Sequence, residues 1–357
     1  MDFKHFTAGK DDDGRRLDKI IRRFLDENAL SSIYKSLRKG LVKVNGKKRS
    51  AEFKVSENDD IEIAEFLIQK SREQNQQNQQ NQKGETNPEK AKKQKLDEKI
   101  VVFRNESILF LNKPYDIPVQ PATNFSGKSL GELVEDDYEI SGRKNASISF
   151  RTGPLHRLDR KTTGLIAFSQ SLEGARIFSR LMQVHKIKKT YLGIVDGKIE
   201  GAQTWNDKIK KDSESESRKN DFHTVNVLDN GSDDGKISIT TAIPLFYGKI
   251  GERNVTLVQF IIETGRTHQI RAQSKKHGHP LAGDSAYGSQ KISGFGRDFF
   301  LHAFRIEFSE SDKSELEKIA LPTLIQADID ENFKKILKKI GLNDDINDNN
   351  FVKTLIK

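Results

Sequence analysis

The sequence predicts an α+β fold: a large unit with a mixed, mainly antiparallel sheet, preceded by a small separate α/β module. Three observations lead there. Strand-like apolar segments recur through the large unit, some joined by short polar turns and others by helix-length stretches, without regular strand–helix alternation. A mostly Gln and Asn run from Gln69 to Gln82, followed by a Lys-rich run from Lys90 to Lys95, divides the chain. Before it, a compact pattern of helix, helix and hairpin signals stands alone. The expected organisation is a module over 1–67, a disordered linker over 68–97 and the large unit over 98–357.

In the module, Leu17, Ile20, Ile21, Phe24 and Leu25 recur at helical spacing. A second helix is expected from about Ser31, a good N-cap, through Ile33, Tyr34 and Leu37 to Gly40, a C-terminal cap. Leu41 to Gly46 then suggests a strand turning at Asn-Gly, a strong hairpin signal, and Val55 with Ile61-Glu62-Ile63 a further strand. From Ser31 to Ser50 there are Lys35, Arg38, Lys39, Lys43, Lys47, Lys48 and Arg49 and no acid. An acid-free basic face suits phosphate contacts, whose attraction is strong and salt-dependent. The linker cannot bury enough apolar surface to offset its ordering entropy. About thirty flexible residues span roughly 30 Å, so the two units need not touch.

The large unit opens with Ile100–Phe103 and Ile108–Leu111, a hairpin feeding Asn112-Lys113-Pro114. Gly127-Lys128-Ser129 resembles the end of a phosphate-binding loop, but the leading glycine falls on Ala122, so nucleotide triphosphate binding is not expected. Gly164 to Phe168 is a short buried strand, and Leu172, Ala175, Phe178, Leu181 and Met182 mark an amphipathic helix. Strands follow at 188–195, 255–262 and 302–308, with a short helix over 267–276 and a terminal one from Asp330 to Gly341. The polar stretches Ser213–Ser217 and Asp229–Gly235 are expected as surface loops.

Composition narrows the function. With 357 residues, 32% charged, a net charge of +9 and pI near 9.3, the chain suits a polyanionic partner. No cysteine is present, which excludes disulfides, thiolate zinc sites and a Cys nucleophile, and fits a reducing cytosol. No apolar run approaches a membrane span, and Met1–His5 lacks an apolar signal region, so a cytoplasmic protein without membrane association is expected. His277-Gly278-His279 is a close pair, but without cysteine or a carboxylate at ligand spacing no metal is expected there.

The stretch that organises the chemistry is Gly153 to Leu165. Within it Asp159 lies between Arg157 and Arg160, whose guanidiniums favour a charged carboxylate. The stretch His156-Arg157-Leu158-Asp159-Arg160-Lys161-Thr162-Thr163-Gly164-Leu165 resembles the catalytic motif of the RluA-type pseudouridine synthases, which isomerise uridine in RNA. The same resemblance extends, in order, to Lys189-Thr190-Tyr191, Glu263 to Arg271, Gly278 to Asp284 and Leu301-His302-Ala303. Lys161 and Thr163 depart from the commonest form of the motif, where Asp and Ser are frequent. The module's layout is similar to the S4 RNA-binding domain that often precedes the synthase domain.

The resemblance implies a pseudouridine synthase fold and a reaction without metal or organic cofactor. The N1–C1′ bond breaks, the uracil turns, and it rejoins through C5. It implies Asp159 as nucleophile on a flipped-out nucleotide. Tyr191 is implied as the active-site tyrosine, and Arg266 as the arginine paired with Asp159. Arg157 fills the space the nucleotide leaves, and Ile270 walls the uracil pocket. His156 and Arg160 are expected at the substrate, and the basic set of the module on RNA. The expected partner is ribosomal RNA, free or in pre-ribosomal particles, with no obligate protein partner and a monomeric chain. The competing readings are a non-catalytic RNA-binding assembly factor, a synthase acting on transfer RNA, and a glycosidic hydrolase. The last usually needs two carboxyls at a defined separation. Glu263 and Asp284, the nearest candidates for the second, are expected to be structural.

Overall fold

The computed structural model describes residues 1–22, 30–70, 92–122, 124–142, 147–211, 224–228 and 234–342. Phe24, Leu25, most of the Gln/Asn tract, 213–217 and 229–233 therefore lie outside the described residues.

The module has a three-stranded antiparallel sheet, β1 (Phe3–Thr7), β2 (Val42–Val44) and β3 (Asp60–Ala64), with β3 central. Helices α1 (Leu17–Ile21) and α2 (Leu30–Lys39) pack on it through Leu17, Ile20, Ile33 and Leu37. α2 begins one residue before Ser31, which is therefore inside the helix and not its cap. It ends where Gly40 turns at φ +71, as expected. Asn45 and Gly46 both take positive φ and close the hairpin between Val44 and Lys47. β1 is not signalled by the sequence, because the side chains of Phe3–Thr7 alternate too weakly to mark a strand.

The large unit has an 11-stranded sheet. Its path runs β10 (Val225–Leu228), β9 (Gln203–Lys211), β11 (Lys236–Ile250), β12 (Arg253–Ile262), β8 (Ile187–Asp196), β13 (Leu301–Phe308), β7 (Thr163–Ser169), β5 (Ile108–Lys113), β4 (Val101–Arg104). β6 (Gly153–Pro154) joins β7, and β14 (Leu324–Gln326) joins β13. All pairings are antiparallel except β13 with β7. This is the mixed, mainly antiparallel α+β architecture expected.

Both faces of the sheet are covered, so its central strands are apolar on both sides. Tyr191 and Val195 of β8 join one core with α3 (Leu130–Ile140) and α4 (Leu172–Gln183), through Leu130, Val134, Phe178 and Leu181. Leu192 and Ile194 point the other way, onto Phe333, Ile336 and Leu337 of α7 (Glu331–Lys339). The short helices α5 (Gln269–Lys276) and α6 (Lys313–Lys318) fill the connections. Ser129, from the decoy phosphate loop, caps α3. Its Oγ accepts from Glu132 N at 3.3 Å, and Glu132 Oε2 accepts from Ser129 N at 2.8 Å.

The two units touch, which polymer reach alone did not require. Asp12 of the module is fully buried and accepts from Ser147 Oγ at 2.9 Å, Ile148 N at 2.8 Å and Gly9 N at 3.0 Å, as well as from Ser149 Oγ. Ile148 inserts its side chain into the module's core. Residues 92–97, placed in the linker by composition, also dock: Leu96 is buried and its N–H reaches Asp137 Oδ1 at 3.1 Å.

Candidate active site

The motif loop enters β7 at Gly164, where the chain must pass close to β13. A Cβ at Gly164 would lie 2.3 Å from Ala303 O, and its φ of +102 suits only glycine well. Beside it Thr163 Oγ1 and His302 Nδ1 share a hydrogen bond of 2.8 Å, in register across the parallel pair. His302 is fully buried, and burial pushes its pKa down to about 4, so the ring is neutral and structural. Underneath, Lys113 of β5 is also fully buried. Its Nζ donates to Pro114 O at 2.9 Å, Ile117 O at 2.8 Å and Arg160 O at 2.7 Å. Burial pushes this lysine down to about 7, against the pull of the Asp159 charge.

Asp159 thus sits on a loop pinned on both sides. Its side chain remains 19% exposed, at the junction of two hollows. One is a narrow slot lined by Arg157, Asp159, Tyr191, Ile262, Arg266, His268, Ile270 and Arg271. The other is a wider groove of about 590 Å³ that includes Tyr115, Arg160, Lys161 and Phe299. Asp159 comes from the entry to β7 and Tyr191 from β8; the two strands flank β13 and are brought together across it.

The cations at Asp159 are not those flanking it in sequence. Arg160 turns away to Asp116, at 2.9 Å from Nε to Oδ1, and lies over the Phe125 ring. Arg266, expected to pair with Asp159, lines the slot but donates through Nε to Ile237 O at 3.2 Å. The arginine that faces the carboxylate is Arg271, with Nη1 at 3.7 Å from Asp159 Oδ2. It stands in the first turn of α5, where the helix aims its side chain, whereas Arg266 lies on the loop before it. Asp284 grips Arg271 with two hydrogen bonds, 2.7 Å from Nε and 3.0 Å from Nη2, and the guanidinium stacks over Tyr287 and Phe299. Burial opposes its charge, but the Asp284 hydrogen bonds and charge outweigh it and raise the pKa. Asp284 is structural, as expected.

His268 Nε2 also lies 3.7 Å from Asp159 Oδ2. Burial lowers its pKa, more than the Asp159 charge raises it, so the ring is neutral near pH 7. Tyr287 Oη accepts from Val225 N at 3.1 Å and shares a hydrogen bond of 3.0 Å with His268 Nδ1. Tyr191 is buried at 8% exposure. Burial first, and the Asp159 charge second, raise its pKa, so the phenol keeps its proton. Ile270 is a buried wall of the slot.

His156 does not reach the substrate side. Its Nε2 accepts from Ala167 N at 3.1 Å, and the ring stacks on Phe178. Burial drives its pKa down to about 3, so this histidine is a neutral strut for the motif loop. Lys161 is ion-paired with Asp298, not free for a phosphate. Arg157 is exposed where slot and groove meet. The seven basic side chains of the module lie apart from this site, on α2 and the β2 hairpin. None of them forms an ion pair among the described residues, and Lys43 and Arg49 lie over the rings of Phe3 and Phe53.

Comparison with known proteins agrees with this architecture. Residues 107–276 match the family model described as RNA pseudouridylate synthase. The Ribosomal large subunit pseudouridine synthase C of Escherichia coli (strain K12) is 29% identical over 341 residues, covering 92% of this chain and 94% of the relative. The protein of the same name from Haemophilus influenzae is 28% identical over 345 residues, covering 94% and 95%. Among solved structures, Human RNA Pseudouridylate Synthase Domain Containing 4 shares the fold, with a TM-score of 0.51 at 17% identity over 68% of this chain and 93% of that one. The sheet, the motif loop and the matched sequence together define a pseudouridine synthase, an enzyme that isomerises uridine in RNA. By these matches the protein is a pseudouridine synthase similar to those of the RluA type.

Proposed function

We propose that this enzyme converts specific uridines of large-subunit ribosomal RNA to pseudouridine, with Asp159 as nucleophile on a flipped-out nucleotide. The observation that carries the reading is the state of that carboxylate. It is flanked at 3.7 Å by Arg271 and by the Nε2 of His268, yet no side-chain hydrogen bond consumes either oxygen among the described residues. A carboxylate positioned by charge but not tied up is ready to attack. The slot beside it is lined on one side by Tyr191, Ile262, Ile270 and Leu301, apolar contacts for a uracil ring.

Attack at C1′ of the ribose or C6 of the base breaks the link between base and sugar as N1 leaves. The slot holds the ring while it turns, C5 bonds to C1′, the bond to Asp159 breaks to return the carboxylate, and the C5 proton departs to a base. Because Tyr191 keeps its proton, its part is to stack on the base and donate a hydrogen bond; proton removal falls to another group. Arg157, exposed at the mouth, fills the space in the RNA left by the extruded nucleotide. The module acts as an S4-like RNA-binding domain, its unpaired basic face on phosphates. Ribosomal RNA as substrate is supported by the relatives' names and by the +9 net charge.

The test is pseudouridine mapping by carbodiimide and primer extension. Ribosomal and transfer RNA are compared from cells lacking the protein, re-supplied with wild type or Asp159→Asn. Stops in ribosomal RNA that vanish in the deletion and return only with wild type support the proposal. Stops confined to transfer RNA overturn the substrate, and restoration by Asp159→Asn overturns the nucleophile.

A further inference from the structure

Strand β8 carries a second ionisable side chain on the face that presents Tyr191. Residues two apart on a strand point the same way, about 7 Å from each other, so Lys189 stands one step along β8 from Tyr191, beside the slot and not in its lining. Its backbone partner on β12 is Ile262, itself a wall of the slot. Lys189 is only 6% exposed. A buried ammonium normally ends on carboxylates or carbonyls, as Lys113 does on its three. Lys189 has neither: among the described residues no hydrogen bond and no ion pair engages its Nζ.

Its charged neighbour is of the same sign. Burial, and then Arg266, push Lys189 down to about 8. The loop bearing Arg266 lies directly over the ammonium, since a Cβ at Gly265 would stand 3.4 Å from Lys189 Nζ. Arg266 spends Nε on Ile237 O and leaves its exposed end at the slot. Two cations held together with no acid between them are costly until an anion arrives. In RNA the available anion is the backbone phosphate, and every nucleotide brings one within a sugar's length of its base.

Given an RNA substrate, on which this step rests, we infer that Lys189 and Arg266 form an anion subsite. It grips a backbone phosphate of the flipped-out nucleotide or of its immediate neighbour, on the Tyr191 side of the slot. Arg266 then serves the substrate directly and not through Asp159. Such a contact carries no sequence information; it sets the depth to which the nucleotide enters.

The experiment uses full-length protein and deproteinised large-subunit ribosomal RNA, tritiated at uridine C5, from cells lacking the protein. Tritium release gives KM and kcat, and filter binding of the same RNA gives the salt dependence of affinity without any need for turnover. Lys189→Met is expected to raise KM about tenfold, the scale of one charge-assisted hydrogen bond, with kcat little changed. Its plot of log affinity against log salt should be shallower by roughly 0.7–0.9. Lys189→Arg should restore both, and Arg266→Gln should act like Lys189→Met, with the double variant less than additive. Unchanged KM and salt slope in both single variants would overturn the subsite. So would a fall in kcat with KM and slope held, which would place Lys189 in the chemistry. Should Lys189→Met fail to fold, Arg266→Gln decides by the same readouts. Absence of tritium release by wild type would count against the substrate reading, and the binding slopes would still decide the subsite.

Discussion

Replacing Asp284 by Ala tests the support of Asp159, the proposed nucleophile. Asp284 is 1% exposed and gives Arg271 two hydrogen bonds, while the other carboxylate near that guanidinium, Asp159, is 3.7 Å away. Removing Asp284 leaves a buried cation without its main partner, a change that costs about 3–5 kcal/mol. For a unit of this size each kcal/mol shifts the melting temperature by roughly 2–4 °C, so a drop of about 6–20 °C is expected. The freed guanidinium has Asp159 as its nearest carboxylate and closes on it, tying up the proposed nucleophile, so tritium release should fall about tenfold or more. Guanidinium denaturation and thermal melts measure the first effect, and single-turnover release the second. Asp284→Asn, which keeps an acceptor for Arg271, should lose less of both. A loss below about 1 kcal/mol, with activity near wild type, would show that Arg271 is held by its stacking on Tyr287 and Phe299 alone, and the argument would fail.

Lys113→Met should change how stability depends on pH. The folded value near 7 lies below the 10.5 of a free lysine, so between them the unfolded chain holds the extra proton. Wild-type stability should therefore rise relative to Lys113→Met from about pH 7 to pH 10.5, by up to ~1.4 kcal/mol per unit, as read from denaturant titrations; parallel curves would contradict the burial argument. Asp12→Ala removes the acceptor of Ser147, Ile148 and Ser149 and should loosen the module from the large unit, giving a larger radius of gyration in solution scattering. Changing Lys35, Arg38, Lys39 and Lys43 together to Gln should weaken RNA binding and reduce its salt slope by roughly 0.7–0.9 for each phosphate no longer neutralised. An unchanged slope would remove the module from the RNA interface.

What can be read from the sequence is whatever local pattern encodes. The motif loop, its strand and the α4 helix are legible because Asp159, Gly164 and the Leu172–Met182 spacing belong to contiguous stretches. β9, β10 and β11 are not: β9 alternates Trp205, Asp207 and Ile209 inward, and the buried Asp207 breaks the apolar signal. Arg271 stands in a motif yet its role is hidden there, because which arginine faces Asp159 depends on where α5 begins. His268 takes a left-handed backbone (φ +51) just before α5 while Arg271 lies in its first turn, so no regular spacing marks the pair in the sequence. Lys113 and Lys189 become informative only once burial is known. The docking through Asp12 pairs residues about 135 positions apart and leaves no local trace.

The place of β13 in the sheet bears on when the enzyme becomes active during its own synthesis. The strand lying between the Asp159 loop and Tyr191 is Leu301–Phe308, made after every other strand of the sheet except β14. Until it inserts, β7 and β8 have no common neighbour, Gly164 has no Ala303 to press against, and His302 cannot hold Thr163. Such late, long-range closure makes folding slow relative to chains dominated by local contacts. It also means that a nascent chain emerging from a ribosome carries its N-terminal module folded well before it has a formed slot.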